Sequence, residues 1–537
     1  MIKGSKLTLE GYTIPKNKLT DKQLQDIKKE LTVMPLNSDY AKEGDTSTKY
    51  KVYKTDEDNV IVPRYYGINK FGKPESDNFE PKKANIKFTG TLRDYQIEIT
   101  NTCLAHAKKH GGGLLVVPCG QGKTLMAIYM ASVLGLKTLI ITHKTFLQDQ
   151  WIDRCKQFTK SKVGIIRQNT VDVEGKHFVV AMVQSLSRRE YDPEIFKDFG
   201  IVVIDEAHHF SAKHFSKALA KTGAKYTFGL SATPYRSDGL FKVVKWFIGD
   251  IMFEKKLQTN NQVIAKIVTF YSKNKLFAEK KRYINGKVRP DCVKMISNLI
   301  ELESRNNNII DVINQLRKDP ERKILVLSGR KNHLTLLKDS VDKLIQDDID
   351  AEIILNDECK TYYYHGDIKR DQRTEAEKEA DILFGTYDMA HEGLDIDRLN
   401  TIILATPKKD VVQAVGRILR KILQDGDIRP LIVDFVDNLP IFVNQAEKRE
   451  VFYKKSKYVQ QYYYVVEDEL VSPRKYLKTI GDENNDVSKK TPEDYEEVLT
   501  VPPVEIIDEC DDKNSYTKQS KPSQTKVYKD PLDVRMF

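Results

Sequence analysis

Residues 117–124 most constrain what this chain can fold into, because a glycine-containing turn there joins an apolar run to a helical pattern. Residues 114–117 are apolar, and residues 125–134 have helical periodicity. A strand, a tight turn and a helix N-terminus form an anion site, since backbone N–H groups and the helix dipole point at the ligand. The predicted phosphate loop consists of Pro118, Cys119, Gly120, Gln121, Gly122, Lys123 and Thr124.

The two last residues of this loop predict its chemistry. We expect the Lys123 ammonium to reach the β- and γ-phosphates of a nucleotide and the Thr124 hydroxyl to bind Mg²⁺. The strict form of the pattern has a glycine where Val117 stands. The alternative interpretation is therefore a glycine-rich turn between a strand and a helix, with no ligand.

Net charge indicates the kind of partner. The 537-residue chain carries a formal charge of +10, yet residues 481–537 hold fourteen acidic against eight basic residues. A basic body with an acidic tail favours a polyanionic partner, most simply nucleic acid, although a lysine-rich soluble surface would look the same.

Cysteine usage and apolar runs indicate the compartment. The six cysteines are scattered without a C-x-x-C pair, which argues against structural zinc and a disulfide framework. Neither a signal-like apolar segment near Met1 nor a run long enough to span a membrane is visible in the sequence. We expect a soluble intracellular protein without a membrane partner.

Residues 1–88 predict a small α+β accessory domain. Apolar spacing predicts a helix over residues 20–31, and β-rich runs predict strands over residues 50–53 and 60–66. The Arg64, Tyr65 and Tyr66 side chains within the last strand are expected either to stack on a base or to pack in the core.

The segment after the phosphate loop alternates strands and helices, which predicts a doubly wound α/β sheet. Ligands of such sheets lie beyond the carboxyl ends of the strands. Asp205 and Glu206 stand at such an end, after the apolar residues 201–204. Adjacent buried carboxylates repel each other unless a cation or a proton role compensates. We therefore expect Asp205 to bind the Mg²⁺ held by Thr124 and Glu206 to activate the attacking water.

Further polar residues are expected around the nucleotide. Gln96 lies 27 residues before Lys123 and is predicted to read an adenine edge, because an amide both donates and accepts; alone it would be a surface glutamine. Ser231 and Thr233 end the strand predicted over residues 226–230 and are expected to sense the γ-phosphate.

A second α/β run follows a charged insertion at residues 275–291 and a helix predicted over residues 292–317. Within this run, helical spacing places Gln413, Gly416, Arg417 and Arg420 on one face. Two arginines there can clamp developing phosphoryl charge across a cleft, whereas the alternative is a solvent-facing basic helix.

The C-terminal region gives two expectations. A helix predicted over residues 438–461 interleaves basic and aromatic residues, which suits a nucleic-acid edge and an ordinary amphipathic helix equally. From about residue 482 the chain is acidic and poor in apolar residues, which predicts a disordered tail.

Six motifs in this order resemble those of superfamily 2 helicases over residues 88–440: Gln96, residues 120–124, residues 205–208, residues 231–233, Thr386 with Gly393 and Asp395, and residues 413–420. Within the superfamily, residues 92–96 and 117–123 are similar to those of the XPB-like branch. Residues 27–35 and 60–67 are similar to the leader of helicases from large cytoplasmic DNA viruses, of the poxvirus transcript-release type.

The resemblance implies an architecture and a set of site residues. It implies two tandem RecA-like lobes at residues 89–257 and 258–460, an accessory domain at 1–88 and a largely disordered extension at 461–537. ATP and Mg²⁺ would bind between the lobes. The implied roles are nucleotide contact by Gly393, Asp395 and Gln413, nucleic-acid contact by Thr142, His143, Arg330 and Thr386, and coupling by His208, Ser231 and Thr233.

The function implied is ATP-driven movement along nucleic acid, with DNA preferred and RNA possible. RNA polymerase or transcription factors are possible partners, and the host cytoplasm, a viral factory or the virion is the expected location. Three alternatives stay open at this point: an RNA helicase, an ATP-gated factor that remodels polymerase complexes without unwinding, and a translocase subunit of a restriction system.

Overall fold

The computed structural model describes residues 2–34, 49–118, 120–207, 212–232, 240–255, 262–284, 286–355, 358–392, 396, 398–416, 423 and 426–481. These residues form a small N-terminal sheet and two larger α/β lobes, each built on a mostly parallel sheet. The expected fold class, two doubly wound parallel-sheet lobes preceded by a small α+β unit, is confirmed for this part of the chain. The predicted acidic tail, residues 482–537, lies outside it.

The N-terminal region has a sheet with strand order β5-β6-β2-β1-β7. Thr20 caps its first helix by accepting a hydrogen bond from the Gln23 N–H, which fits the predicted start. The elements are β1 (Lys6–Thr8), β2 (Gly11–Pro15), α1 (Asp21–Glu30), β3 (Thr32–Val33), β4 (Tyr50–Lys51), β5 (Lys54–Thr55), β6 (Asn59–Val62), α2 (Arg64–Phe71) and β7 (Ser76–Asp77).

The predicted strand over residues 60–66 is wrong in its second half, because α2 begins at Arg64. Proline has no N–H to donate to a sheet, but it is tolerated at the start of a helix. Pro63 therefore ends the strand and is the N-cap residue of α2. Tyr65 and Tyr66 are buried, and Arg64 Nη1 donates to the carbonyl oxygens of Ala224 at 2.8 Å and Lys225 at 3.0 Å. The core alternative therefore holds for this cluster, and base stacking does not.

The first lobe has strand order β11-β10-β12-β9-β13-β14-β8-β15 among its described residues, parallel except for the edge strand β11. Its elements are α3 (Asp94–His110), β8 (Gly112–Val116), α4 (Lys123–Leu134), β9 (Thr138–Thr142), α5 (Thr145–Thr159), β10 (Val163–Arg167), β11 (Thr170–Val171), β12 (Phe178–Met182), α6 (Val183–Arg188), α7 (Glu194–Lys197), β13 (Ile201–Ile204), α8 (Ala212–Leu219), β14 (Tyr226–Ser231), α9 (Phe241–Ile248) and β15 (Ile251–Glu254).

Helices cover both faces of this sheet, as the buried parallel strands require. Helices α3, α4 and α5 pack on one face. Helices α6, α8 and α9 pack on the other face, in a core that also contains residues of the N-terminal region such as Tyr12 and Tyr66. Because parallel strands end at the same edge, residues that follow β8, β9, β13 and β14 come together there.

The second lobe has strand order β20-β21-β19-β22-β23-β16-β24-β25 among its described residues, parallel except for the edge strand β25. Its elements are β16 (Ile264–Tyr271), β17 (Lys281–Ile284), β18 (Lys287–Pro290), α10 (Cys292–Leu299), α11 (Glu303–Leu316), β19 (Ile324–Ser328), α12 (Lys331–Asp350), β20 (Thr361–Tyr364), α13 (Arg370–Glu379), β21 (Ile382–Thr386), α14 (Tyr387–Glu392), β22 (Thr401–Leu404), α15 (Val412–Val415), β23 (Leu431–Asp437), α16 (Pro440–Lys455), β24 (Val459–Val466), β25 (Glu469–Val471) and α17 (Pro473–Ile480).

Three predicted segments of this lobe differ from the structure. The helix expected over residues 292–317 is divided into α10 and α11. The helix expected over residues 438–461 ends at Lys455, and β24 then pairs in parallel with β16. The charged insertion at residues 275–291 contains the antiparallel β17–β18 hairpin.

Helix α16 buries two of the basic and aromatic residues for which two expectations were open. Arg449 and Tyr453 are buried, and the Arg449 guanidinium donates to both carboxylate oxygens of Asp434 at 2.8 Å. Arg449 and Tyr453 therefore belong to the core, whereas Lys448, Lys454 and Lys455 are exposed and a nucleic-acid edge formed by these lysines stays a prediction. Among the described helices, none is long and apolar enough to cross a membrane.

Candidate functional site

The predicted phosphate loop connects β8 to α4. The Val117 N–H donates to the Ser231 carbonyl oxygen at 3.1 Å, which ties the loop to the end of β14. Gly122 has a φ of +79° in front of Lys123, the first residue of α4. A left-handed residue immediately before a helix N-terminus favours glycine. The loop therefore leads directly into the N-terminus of α4, the end of a helix that favours anions.

The Lys123 ammonium lies among groups that the sequence predicted would share its site. Lys123 Nζ donates to the Val117 carbonyl oxygen at 3.3 Å and stands 3.6 Å from Glu206 Oε1. The side chains of Lys123 and Glu206 are only 10% and 13% exposed. An ion pair that is largely removed from water is strengthened, and this interaction directs the lysine side chain at the acidic pair.

Asp205 is buried at the end of β13. Trp151 of α5 fixes its carboxylate, because Trp151 Nε1 donates to Asp205 Oδ2 at 2.8 Å. Burial and the neighbouring Glu206 carboxylate raise the pKa of Asp205 to about 6, whereas the Trp151 N–H and the Lys123 charge partly offset this rise. The site therefore holds a carboxylate whose charge is costly until a cation approaches.

Glu206 has a φ of +47°, in the left-handed region that residues other than glycine rarely adopt. The backbone is held there from both sides, since the Asp205 N–H donates to the Ile141 carbonyl at 3.1 Å and the Ala207 N–H to the Leu230 carbonyl at 3.2 Å. Strain of this kind persists only where the surrounding structure over-determines it, and it is frequent at functional sites.

Gln96 lies against the phosphate loop. Its Oε1 accepts from the Arg93 N–H at 2.9 Å, and its Nε2 donates to the Gln121 carbonyl at 3.0 Å. An amide keeps one further N–H and one further lone pair after these two bonds. The structure thus brings Gln96 to the loop, and its contact with an adenine edge stays a prediction.

Tyr95 and Lys255 also belong to this loop environment, and the sequence analysis missed them. Lys255 Nζ lies 4.4 Å from the centre of the Tyr95 ring and 3.1 Å from Gln121 Oε1, to which it donates. Lys255 follows β15, the strand beside β8. No spacing rule relates Lys255 to the loop, so the sequence offered no means of finding it. Tyr95 could have been predicted only because it is the sequence neighbour of Gln96.

The expected nucleic-acid residues lie at strand ends, with different accessibility. Thr142 is fully buried, with its hydroxyl 3.6 Å from Met182 Sδ. His143 follows it, and its carbonyl accepts from Gln184 Nε2 at 2.8 Å. In the second lobe, Thr386 ends β21 in register with Ser328 of β19, two residues before Arg330. In this conformation the Thr142 side chain faces the core, so a backbone contact there would fall to the residues after it.

The remaining predicted site residues fall into two groups, those within the described part of the chain and those outside it. Gln413 is buried in α15, and Ser231 ends β14 beside the loop. The residues that lie outside the described part of the chain are Cys119, His208, Thr233, Gly393, Asp395, Arg417 and Arg420.

A buried polar cluster in the second lobe was also missed. The Arg305 guanidinium donates to Asp437 Oδ1 at 2.6 Å and Oδ2 at 3.0 Å and to the Ala405 carbonyl at 2.9 Å. His333 contacts Asn306 Oδ1 and the Ser328 hydroxyl, each at 3.0 Å. Burial and the nearby Arg305 charge lower the pKa of His333 to about 3, so this ring is neutral. The cluster fixes α11 and α12 against the ends of β19 and β23.

Comparison with known proteins agrees with this architecture. Residues 89–236 match the family described as "Type III restriction enzyme, res subunit", and residues 305–421 match the "Helicase conserved C-terminal domain". The chain is 38% identical over 509 residues to a "putative ATP-dependent RNA helicase" of Acanthamoeba polyphaga mimivirus, covering 91% of this chain and 94% of that protein.

Two further similarities are more distant. The chain is 30% identical over 203 residues to "DNA 3'-5' translocase XPB2" of Sulfurisphaera tokodaii, covering 37% of this chain and 44% of that protein. A solved fragment of a "putative HsdR subunit of a type I restriction enzyme" from Vibrio vulnificus has a TM-score of 0.49 at 16% identity, covering 72% of this chain and 71% of that one.

The two matched domains define the class of protein as a helicase, an enzyme that uses ATP and binds nucleic acid. The chain belongs to the superfamily 2 helicases, in the group related to helicases of large DNA viruses.

Proposed function

We propose that this helicase moves along nucleic acid, with DNA as its preferred track, by hydrolysing ATP at the edge of the first sheet. The observation that carries the proposal is the 3.6 Å approach of Lys123 Nζ to Glu206 Oε1, beside a buried Asp205 held by Trp151. An ammonium, a helix N-terminus and two carboxylates at one edge are the groups that ATP hydrolysis requires.

The oxygen donors at this edge fit Mg²⁺. The candidate ligands are the Thr124 hydroxyl and the Asp205 carboxylate, and Mg²⁺ prefers oxygen ligands with several places left for water and phosphate. Among the described residues, no cluster of three or more His, Cys, Asp or Glu side chains could hold a metal alone. The burial that raises the Asp205 pKa also fits, because a cation would offset the cost of that charge. When bound, Mg²⁺ would neutralise phosphate charge.

Each residue of the first lobe takes a separate role. The N–H groups of the loop and the Lys123 ammonium bind the phosphates, and Gln96 joins the loop to the adenine. Glu206 accepts a proton from the attacking water, since its carboxylate lies next to the phosphate lysine yet is mostly shielded from solvent. Gln413, Gly393 and Asp395 of the second lobe contact the nucleotide, and Arg417 and Arg420 stabilise the transferred charge.

Movement follows from the two lobes sharing one ligand. The Ser231 carbonyl oxygen accepts a hydrogen bond from the N–H of the loop residue Val117. Loss of the γ-phosphate would therefore shift the end of β14, and with it His208 and Thr233. The residues after Thr142, including His143, and Arg330 with Thr386 would hold the phosphate backbone without reading sequence. We place the activity in transcript release or DNA processing in the cytoplasm of a virus-infected cell.

The test is ATPase turnover of Glu206→Gln with single-stranded DNA, duplex DNA and RNA. We expect a loss of about 100-fold or more in turnover, because a general base contributes on that order. Binding of a fluorescent ATP analogue should stay close to wild type. Glu98→Gln, on the exposed side of α3, is the matched control. Turnover retained in Glu206→Gln would overturn the assignment of the base.

RNA is the second candidate track, since the mimivirus relative bears the name of an RNA helicase. Stimulation of the wild-type ATPase by RNA above DNA would decide for it. A strand-displacement assay beside release from a stalled polymerase complex separates unwinding from remodelling. Release without displacement would favour an ATP-gated remodelling factor that contacts RNA polymerase.

A further inference from the structure

Lys255 lies where the chain leaves the first lobe. Strand β15 ends at Glu254 and β16 of the second lobe begins at Ile264, so the chain crosses between the lobes directly after Lys255. The Lys255 N–H donates to the Val116 carbonyl oxygen at 2.9 Å, which extends the pairing of β15 with β8 by one residue. The start of the crossing is therefore fixed to the strand that leads into the phosphate loop.

The Lys255 side chain contacts the other end of the phosphate loop. Its ammonium donates to Gln121 Oε1 at 3.1 Å and lies 4.4 Å from the centre of the Tyr95 ring. Both partners favour an ammonium, since an amide oxygen accepts a hydrogen bond and the face of an aromatic ring attracts a cation. Lys255 thus spans the loop, with its backbone at Val116 before the loop and its side chain at Gln121 near the end of the loop.

Gln121 is the loop residue on which these contacts converge. Its carbonyl oxygen accepts from Gln96 Nε2 at 3.0 Å and from the Tyr95 hydroxyl at 3.4 Å, in addition to the bond that its side chain accepts from Lys255. Gln121 stands between two glycines that both have a φ of +79°. Because glycine is conformationally permissive, the side chains of Gln96, Tyr95 and Lys255 hold Gln121 in position.

These contacts connect the proposed triphosphate site with the route to the second lobe. A triphosphate bound by the loop N–H groups and by Lys123 would fix the loop backbone around Gln121, and Gln121 would in turn fix Lys255. Thermodynamic coupling between two sites is reciprocal. A movement of the second lobe that displaces Lys255 would therefore change the affinity of the loop for nucleotide.

We propose that Lys255 is a positioning residue that couples occupancy of the phosphate loop to the arrangement of the two lobes. With ATP bound, the contact between Lys255 and Gln121 holds the start of the crossing in the orientation that brings the second lobe to the nucleotide. Loss of the γ-phosphate releases the loop and, through Gln121, this orientation. The proposal rests on the proposed function, since it needs an ATP site at this loop and a nucleic acid that favours one arrangement of the lobes.

The readout is the coupling ratio, defined as the affinity for a non-hydrolysable ATP analogue with single-stranded DNA divided by the affinity without it. Lys255→Met removes the ammonium and keeps an apolar stem against Tyr95. It should lower the ratio ~10-fold, the order of one lost hydrogen bond from a charged group. Lys255→Arg should restore the ratio, because a guanidinium also donates hydrogen bonds and stacks on aromatic rings.

Two further variants separate the contact from a general effect of charge. Lys242→Met is the matched control, since Lys242 Nζ lies 5.7 Å from the centre of the Trp246 ring in α9, on the face of the sheet opposite α3. Gln121→Met removes the acceptor Oε1, so adding Lys255→Met to it should lower the ratio by less than about twofold further. Equal losses with and without Gln121→Met would contradict a role through this contact.

The experiment uses the full chain with single-stranded DNA and with RNA, after equal urea midpoints have shown that each variant is folded. If Lys255→Met lowers the midpoint, Lys255→Gln takes its place. A reduced ratio that arginine restores supports the proposal. An unchanged ratio in Lys255→Met overturns it, and so does a loss of analogue affinity that is equal with and without nucleic acid, because Lys255 would then bind the nucleotide directly.

The wild type separates failure of this proposal from failure of the proposed function. If nucleic acid stimulates wild-type ATP hydrolysis but leaves the ratio at one, the coupling through Lys255 is refuted and the motor remains. If the wild-type ATPase responds to neither DNA nor RNA, the proposed function itself fails.

Discussion

In the absence of nucleotide and Mg²⁺, Asp205→Asn should raise the free energy of unfolding of the first lobe, although it should abolish ATP hydrolysis. The pKa of Asp205 is raised from an ordinary 3.8 to about 6 by burial and by Glu206. A group whose pKa rises on folding binds its proton more tightly in the native state, so stability falls as pH increases between these two values. At about 1.4 kcal/mol per pKa unit, the ionised carboxylate costs about 3 kcal/mol above this range.

Asparagine removes this cost and keeps the contact with Trp151, because its amide oxygen accepts the indole N–H as the carboxylate does. The free energy of unfolding of the variant should therefore exceed that of the wild type by about 3 kcal/mol at pH 7.5. At pH 4.5 the difference should be only about 1 kcal/mol, because most of the Asp205 carboxyl groups are protonated in the native state of the wild type. Its ATPase should be lost at every pH, since the charge that would bind Mg²⁺ is gone.

Urea unfolding followed by tryptophan fluorescence measures this difference. Both tryptophans of the chain, Trp151 and Trp246, lie in helices of the first lobe, so the fluorescence reports that lobe. Asp198→Asn is a control of opposite sign: although partial burial acts to raise it, the pKa of Asp198 is held below its ordinary value by hydrogen bonds from Lys137 and Lys82, and its loss should destabilise at pH 7.5. An Asp205→Asn variant no more stable than wild type at pH 7.5, or a difference that does not shrink at pH 4.5, would refute the reasoning.

Two further substitutions test the frame around the site. Gly122→Ala should weaken ATP binding ~10-fold, measured by titration, because its φ of +79° disfavours a side chain and a Cβ atom there would lie 2.3 Å from Gln96 Nε2; unchanged affinity would show that the loop is not held in this conformation. Arg305→Met should lower the free energy of unfolding of the second lobe by 3 to 5 kcal/mol, roughly the cost of leaving Asp437 buried without its partner. Hydrogen exchange of β23 amides would report this loss, and adding Asp437→Asn should recover part of it.

The sheets and the acidic edge were predictable from the sequence because their determinants are local. Buried parallel strands such as Ile201–Ile204 are continuous apolar runs, and the polar residues after them must collect at one edge. Chain order alone thus predicted that Lys123, Asp205 and Glu206 would meet. Trp151 was visible in its helix, yet its bond to Asp205 joins residues 54 positions apart, and no local pattern encodes it.

The elements that were missed depend on tertiary contacts. The break between α10 and α11 contains neither Gly nor Pro. Instead, Asn306 of α11 caps the end of α10, since its Nδ2 donates to the Ile300 carbonyl oxygen at 2.8 Å. Helix α16 ends at Lys455, and Lys457 then adopts a φ of +59°, a left-handed conformation that usually favours glycine. Residues 459–466 have a composition typical of a strand. They join the sheet of the second lobe because they pair in parallel with β16, a tertiary contact that the local sequence does not encode.

The N-terminal region shares a single apolar core with the first lobe, and this limits how the enzyme can work. Residues as distant in sequence as Tyr12, Tyr66 and Ile248 belong to that core, and the Gly223 N–H donates to the Leu9 carbonyl across the boundary at 2.8 Å. A hinge at residue 88 would have to open a hydrophobic interior to water. In any rearrangement of the two lobes we consequently expect the N-terminal region and the first lobe to move as one unit, so that a ligand of the N-terminal region would move with the proposed ATP site.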